Sequence, residues 1–359
     1  MPAEPASAAP LDASREWGLT RVATYPGLRV LAWAGDVLYA SRGYALVKAE
    51  IAGTRSDWQR VGRFRPAWWR ELTSRNRLST RLVRDGFHAL AVLSSGHLVA
   101  AIPGAIVTHR PGESEFHLSH IVTRGTRPLH ITATPGGQVF WGEYFDNAGR
   151  EAVRVYASSD GGESWQVAYT FPAGAIRHVH NVVYDEWENC LWILTGDYGA
   201  ECRILRASCD FGSVEEVLTG NQQARAVALV PSVEGLYFSS DTPLEKNHIF
   251  LLDRRGKLTQ LAELSSSSIY GCRVGNSLFF STMVEPSEIN TERRVRVYGS
   301  QGASGWQPLL EWKKDRWPMR LFQYGNAIFP DGENSTNYLA LTTIAVEGGD
   351  LLTGILRAG

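Results

Sequence analysis

Residues 158 to 165 read Ser-Ser-Asp-Gly-Gly-Glu-Ser-Trp, and this stretch constrains the fold more tightly than any other. Asp160 stands where an aspartate accepts hydrogen bonds from backbone N–H groups two residues on. Gly161 and Gly162 allow positive φ in a tight reversal, and Trp165 opens the returning strand with a large apolar side chain. The octet is a hairpin staple. It predicts closely turned antiparallel strands and says little about chemistry.

Length alone permits two domains or one large all-β domain, because 359 residues with 44% hydrophobic side chains can bury an extensive core. Composition prefers the second. The chain has Gly 35, Trp 12, Tyr 13 and Phe 13, and its short apolar runs are cut by Gly, Asp, Asn and Pro, as many short strands and tight turns require. The net charge of -1 excludes a globally basic nucleic-acid binder.

A strand pattern recurs along the chain. Segments 138–143, 190–197, 235–241 and 277–285 each run from an aromatic, apolar strand into small residues and then a carboxylate: Glu143, Asp197, Asp241 and Glu285. Turns related to the octet follow. Ser208, Asp210 and Gly212 keep its core, Asp253 and Gly256 keep only a turn, and Ser300, Gly302 and Trp306 keep a remnant. A period of roughly 40 to 50 residues per four-stranded unit predicts an all-β chain folded as a β-propeller. Blades are placed near 29–64, 87–122, 127–171, 177–220, 223–264, 267–312 and 322–357. Seven is the count; six is the alternative.

The strand 17–24 is expected to close the last blade and remove the sheet edge that a ring otherwise leaves open. Helical character is confined to 66–83, inside an insertion near 65–86. Residues 1–16 read as a disordered lead-in and 17–359 as a single propeller domain. With neither a basic start nor an apolar core in its first residues, and no membrane-length apolar run, a cytoplasmic location is expected. Cys190, Cys202, Cys209 and Cys272 lack metal-site spacing and read as reduced, structural residues.

The Ser-x-Asp-x-Gly-x-Ser-Trp spacing resembles the Asp box of the sialidase-like β-propellers, also called the bacterial neuraminidase repeat, in which Thr more often stands at the position of Ser164. The resemblance implies the fold, with the box between the outer strands of a blade. Sialidase chemistry would further require an arginine triad, a Tyr-Glu pair and an Asp acid. Arginines stand at Arg127, Arg177, Arg225 and Arg273, but the family's Arg-Ile-Pro segment is missing, so the resemblance stops short of the catalytic set.

In a propeller the first strand of each blade lines the axial channel, and ligands bind at one mouth. On that plan His130, His178, His180, Arg225, Tyr270 and Tyr324 fall on or just before first strands. Glu143, Asp197, Asp241 and Glu285 fall at exits of second strands, where they serve either as turn staples or as catalytic acids. His178 and His180 share a strand face at i and i+2, so both imidazoles can reach one divalent metal, with His130 of the preceding blade as a third ligand. Metal-dependent oligogalacturonate lyases, also propellers, are similar in this His-x-His pair alone.

The function expected is cleavage of an acidic oligosaccharide or polysaccharide. In an eliminating enzyme His178 or His180 is base or metal ligand, Arg225 or Arg273 holds a uronate carboxylate, and Tyr270 protonates the leaving oxygen. In a hydrolase two of the four carboxylates are acid and base or nucleophile. His130 and Tyr324 complete the substrate site. The alternative is a non-catalytic glycan-binding or protein-binding propeller. Two basic, aromatic stretches, Arg63 to Arg84 with Trp68 and Trp69, and Lys313 to Arg320 with Trp312 and Trp317, fit either an acidic glycan or a solvated surface. Nucleotide-binding, serine-esterase and zincin motifs are absent.

Overall fold

In six of the seven blades one strand is buried along its whole length, and this follows from where it sits. Leu98–Ile102, Val139–Gly142, Cys190–Gly196, Gly235–Ser240, Ser277–Thr282 and Tyr338–Ile344 are buried at every position. Both faces of such a strand are covered by the neighbouring blades, so polar and apolar residues have no reason to alternate. The fourth strands lie at the rim and are polar; Val214–Thr219 carries Glu215 and Glu216, and Leu258–Leu264 carries Glu263. Charges there blunt an exposed sheet edge.

The computed structural model describes residues 17–53 and 56–359, and the expected lead-in at 1–16 lies outside the described residues. Seven antiparallel sheets of four strands form a ring, a seven-bladed β-propeller. Their innermost strands are Arg29–Gly35, Ala89–Val92, Thr132–Ala133, His178–Asp185, Ala226–Ser232, Ser268–Val274 and Asn326–Ile328. Core clusters lie between adjacent blades; one joins Phe140 and Val153 of blade 3 to Val179 and Ile193 of blade 4.

The ring is closed twice. Leu19–Pro26 pairs with Leu352–Ala358 as the outer strand of blade 7, as the sequence predicts. The chain leaving the inner strand of blade 7 then crosses the seam, and Asp331–Asn334 pairs in parallel with Arg29–Gly35 of blade 1. Gly332 makes this crossing with φ +84 and so close to Trp33 that a Cβ would lie 2.3 Å from its carbonyl oxygen. Only glycine fits there.

The 158–165 turn joins the third and fourth strands of blade 3. Asp160 accepts from the Ser158 hydroxyl at 2.7 Å, the Ser164 amide at 3.0 Å and the Ser164 hydroxyl at 2.5 Å. The amide comes from four residues on, not two; the Gly162 amide goes to Ser158 Oγ instead, at 2.9 Å. The turn also fastens blade 3 to blade 2, through Thr108 Oγ1 to the Gly161 carbonyl at 2.8 Å and Trp165 Nε1 to Ser119 Oγ at 3.1 Å.

The insertion forms two short helices, Trp68–Thr73 and Arg77–Val83, separated where Asn76 caps the second through the Leu78 amide at 2.9 Å. A further helix, Met319–Phe322, precedes blade 7 and was not legible in the sequence. Buried Arg81 ties the two regions together through Asp315 at 2.6 Å and Asp350 at 3.1 Å. The basic residues of both stretches are largely spent on such pairs, Arg63 with Glu71 and Arg70 with Asp85 among them.

Candidate functional site

Inner strands run the same way around the axis, so their N-terminal ends share one mouth. Second strands run against them and end at that mouth. This places His178, first residue of its inner strand, and Arg225, immediately before the next, beside Asp197, Asp241 and Glu285, which follow the second strands of blades 4, 5 and 6. The small residues before the acids make room. A Cβ on Gly196 would lie 3.2 Å from the His180 ring and 3.3 Å from the Arg225 side chain.

His178 and His180 meet through their Nε2 atoms at 3.1 Å. The backbone register of blade 4 slips between Val179 and Asn181, leaving His180 as an extra residue outside the ladder. Such a bulge re-aims a side chain. His178 Nδ1 lies 3.1 Å from the Phe145 carbonyl and His180 Nδ1 lies 2.9 Å from the Ala226 carbonyl. Carbonyl oxygens only accept, so both Nδ1 atoms carry hydrogen and a neutral ring presents a lone pair at Nε2. Two lone pairs therefore face each other. Asp197 Oδ1 adds a negative oxygen 3.4 Å from one Nε2 and 3.5 Å from the other. The arrangement calls for a positive charge at its centre, either a proton on one ring or a metal ion.

The 3.1 Å between the rings suits a hydrogen bond through a proton, and the three separations of 3.1, 3.4 and 3.5 Å are also compatible with a metal ion. Ligand atoms about 2.0–2.1 Å from a tetrahedral ion lie roughly 3.3–3.4 Å apart. His178, His180 and Asp197 are the group of metal-type donors that converges among the described residues. His130 is not one of them.

Around this core the charges are strongly coupled. Burial pushes the Asp197 carboxyl up, but hydrogen bonds to His178 and His180 and the charge of Arg225 outweigh it and hold the group far below the usual range. Burial holds His180 below the usual imidazole value, aided by His178 and Arg225 and opposed by Asp197. Glu285 goes the other way. Burial, then the negative charge of Asp241, raise it to about 7. Arg225 Nη2 lies 3.2 Å from Asp197 Oδ1 and 3.5 Å from Asp241 Oδ2, while Asp241 Oδ1 and Arg225 Nε have no protein partner. Burial and the charges of Asp197 and Asp241 push the Tyr144 hydroxyl up to about 12, and its ring lies tilted 4.3 Å from that of His178.

The remaining expected site residues do not join this core. Glu143 is a staple: it holds Arg124 and accepts the Arg154 amide at 2.8 Å. Arg273 sits near the far end of its strand, exposed, 3.6 Å from Glu186 and stacked on Trp187. Five residues below Ser268, it is roughly 17 Å from the mouth, which its type alone could not reveal. His130 Nδ1 pairs with Asp331 at 3.1 Å across the channel, beside the ring of Tyr270 at 6.2 Å. Tyr270 lies near enough to Arg29 to act on its charge. Tyr324 lies within the field of Glu285. Tyr144, Arg29 and Arg177, whose Nη1 lies 3.4 Å from Asp197 Oδ2, were missed as site residues. Tyr144 directly follows Glu143 at a strand exit, the one signal that could have found it.

No family model and no curated protein sequence matches the chain. Solved propellers do. A catalytically inactive histidine-to-alanine variant of virginiamycin B lyase from Staphylococcus aureus, with quinupristin, superposes with TM-score 0.56 at 11% identity, over 98% of each chain. The WD40 propeller domain of Doa1 gives 0.54 at 13% identity, over 95% of this chain and 97% of that one. A GH74 enzyme from Niastella koreensis gives 0.52 at 16% identity, over 82% of this chain and 47% of that one. These likenesses establish the seven-bladed propeller fold. Membership of the sialidase-like family in particular finds no support in them.

Proposed function

We propose that the mouth is the catalytic centre of a carbohydrate-active enzyme that cleaves an anionic glycan by acid–base chemistry. The observation that carries this reading is the convergence of His178, His180 and Asp197 on one point, beside Asp241, Glu285 and Arg225. Glu285 retains a proton up to about pH 7 and donates it to the leaving oxygen. Asp241, with a free carboxylate oxygen, is the base. In an elimination it takes the proton from the carbon beside the sugar carboxylate; in a hydrolysis it takes one from water. Arg225 steadies Asp241 and ties it to Asp197 of the imidazole cluster.

His178, His180 and Asp197 would hold a divalent cation, which when bound would neutralise a sugar carboxylate and acidify the adjacent C–H bond. That preference for an acidified carbon favours elimination over hydrolysis. The lyase among the similar folds, inactivated by replacing one histidine, supports a histidine-dependent site on a propeller of this size. The WD40 domain supports the competing reading, a mouth that only binds.

A panel of uronate-containing glycans separates these readings, with ultraviolet absorbance reporting new double bonds and a reducing-end assay reporting total cleavage. Elimination raises both, hydrolysis only the second, and binding alone neither. His180→Ala is expected to lower turnover at least a hundredfold while leaving the unfolding midpoint within a few degrees. Unchanged turnover in that variant would remove the pair from the mechanism.

A further inference from the structure

Three arginines at this mouth have no carboxylate. Arg29 is the first residue of the inner strand of blade 1, Arg84 caps the helix leading into blade 2, and Arg127 precedes the inner strand of blade 3. By the topology that gathers His178 and Arg225, all three stand at the same end of the ring. Arginines on the outer surface either find acids, as Arg110 does with Glu163 and Arg203 with Glu216, or stand in solvent, as Arg42 and Arg60 do. Among the described residues, Arg29, Arg84 and Arg127 form no ion pair. The Nε atoms of Arg29 and Arg127 are shielded from solvent and unpartnered, as is Nδ1 of His88 between them. The nearby carboxylate, Asp331, is engaged by His130.

We propose that Arg29, Arg84 and Arg127 form an oxyanion subsite in the same mouth, opposite the imidazole–carboxylate cluster, which grips the acidic substituent of a neighbouring sugar of the glycan, distinct from the carboxylate that the cation would neutralise. The inference deepens the functional reading and rests on it for the identity of the ligand. Guanidinium donors suit planar carboxylates and tetrahedral sulfates alike, since each offers a fork of N–H groups to paired oxygens. The charges behave as an unfilled anion site should. Burial first, then Arg29 and Arg84, lower Arg127 to about 10, and burial with Arg127 and Arg29 drives His88 well below its usual value. Two tyrosines connect the halves of the mouth. Tyr144 acts on Arg127 and is itself acted on by Asp197 and Asp241. Tyr324 feels both Arg84 and Glu285. The mouth therefore carries arginines without ion pairs on blades 1 to 3, and on blades 4 to 6 acids that Arg177 and Arg225 partly counter.

Calorimetric titration of the full chain with sodium glucuronate, sodium sulfate and neutral glucose tests this, with thermal unfolding recorded alongside. Both anions are expected to bind and to raise the unfolding midpoint, and glucose to do neither. Glucuronate without sulfate would assign the subsite to carboxylates, sulfate without glucuronate to sulfated sugars. Arg127→Met and Arg29→Met should each weaken anion binding at least tenfold. Because each removes one of three mutually repelling charges, the anion-free unfolding midpoint should rise, so loss of binding cannot be laid to misfolding. His180→Ala should leave anion binding within about twofold. Unaltered anion affinity in both arginine variants, or equal binding of glucose, would overturn the subsite. Anion binding lost in the arginine variants, with no glycan cleaved by the native chain, would uphold the subsite and defeat the catalytic reading.

Discussion

His180 owes its position to one extra residue in a strand. Blades 1, 5 and 6 carry a register shift in the same inner pairing, at 30/32, 226/229 and 268/270, so the bulge is a feature of the repeat that blade 4 fills with an imidazole. Glu285 owes its proton first to burial and then to the charges of Asp241 and Asp197, with Arg225 and Ser267 opposing them. A carboxyl whose affinity for protons is higher in the folded chain favours folding at low pH, and that advantage is lost as pH climbs from the ordinary carboxylate range through about 7. Glu285→Gln is therefore expected to gain stability over the native chain at pH 8 and to match it near pH 5, read as urea midpoints. Equal differences at both pH values would contradict the assignment. Activity of the native chain should fall above about pH 7 for the same reason. At this scale the sequence was partly legible. Strand phase placed His178, His180, Arg225, Asp197, Asp241 and Glu285 together correctly, because residue type and distance from a strand end suffice for that. It could not choose between staple and site for Glu143, or foresee where Arg273 is held, because these depend on Arg124 and Trp187, partners that strand phase does not reveal.

The turns carry the repeat at the level of elements. Ser208 and Asp210 reproduce the 158–165 pattern, with Ser208 Oγ donating to Asp210 at 2.6 Å and the Gly212 amide at 3.0 Å, and Asp253 accepts amides from Arg255 and Lys257 at 2.9 Å each. What distinguishes the intact copy is Trp165, half-buried between blades 2 and 3 against Trp141 at 6.0 Å. Trp165→Ala is expected to destabilise the chain by about 2–3 kcal/mol, below the full-burial range because part of the ring stays wet. Chemical denaturation measures it, and a change under about 0.5 kcal/mol would show that the turn does not fasten the two blades. The helices at 68–83 were legible in outline, but their break at Asn76 and their tie to the 315–323 segment were not, since Arg81 finds its acids more than 230 residues away.

For the molecule as a whole, the seven blade boundaries read from the sequence fall within a few residues of those observed, because a repeat announces itself wherever aromatic strands and acidic turns recur. The second closure did not announce itself. A four-residue strand pairing in parallel with the start of the ring has no periodic signature, yet it places Asp331 in the channel, where it holds His130 away from the imidazole pair. No helix among the described residues is long and apolar enough to cross a membrane. The ring thus gathers side chains from all its blades at one mouth, and the account stands on the convergence of His178, His180 and Asp197 within that mouth. Titration of the metal-free chain with zinc or manganese, followed by calorimetry, tests that convergence most directly. One ion should bind per chain, with affinity lowered at least a hundredfold in both His178→Ala and Asp197→Asn and unaltered in His130→Ala. Binding that survives the first two substitutions, or is lost with the third, would contradict it.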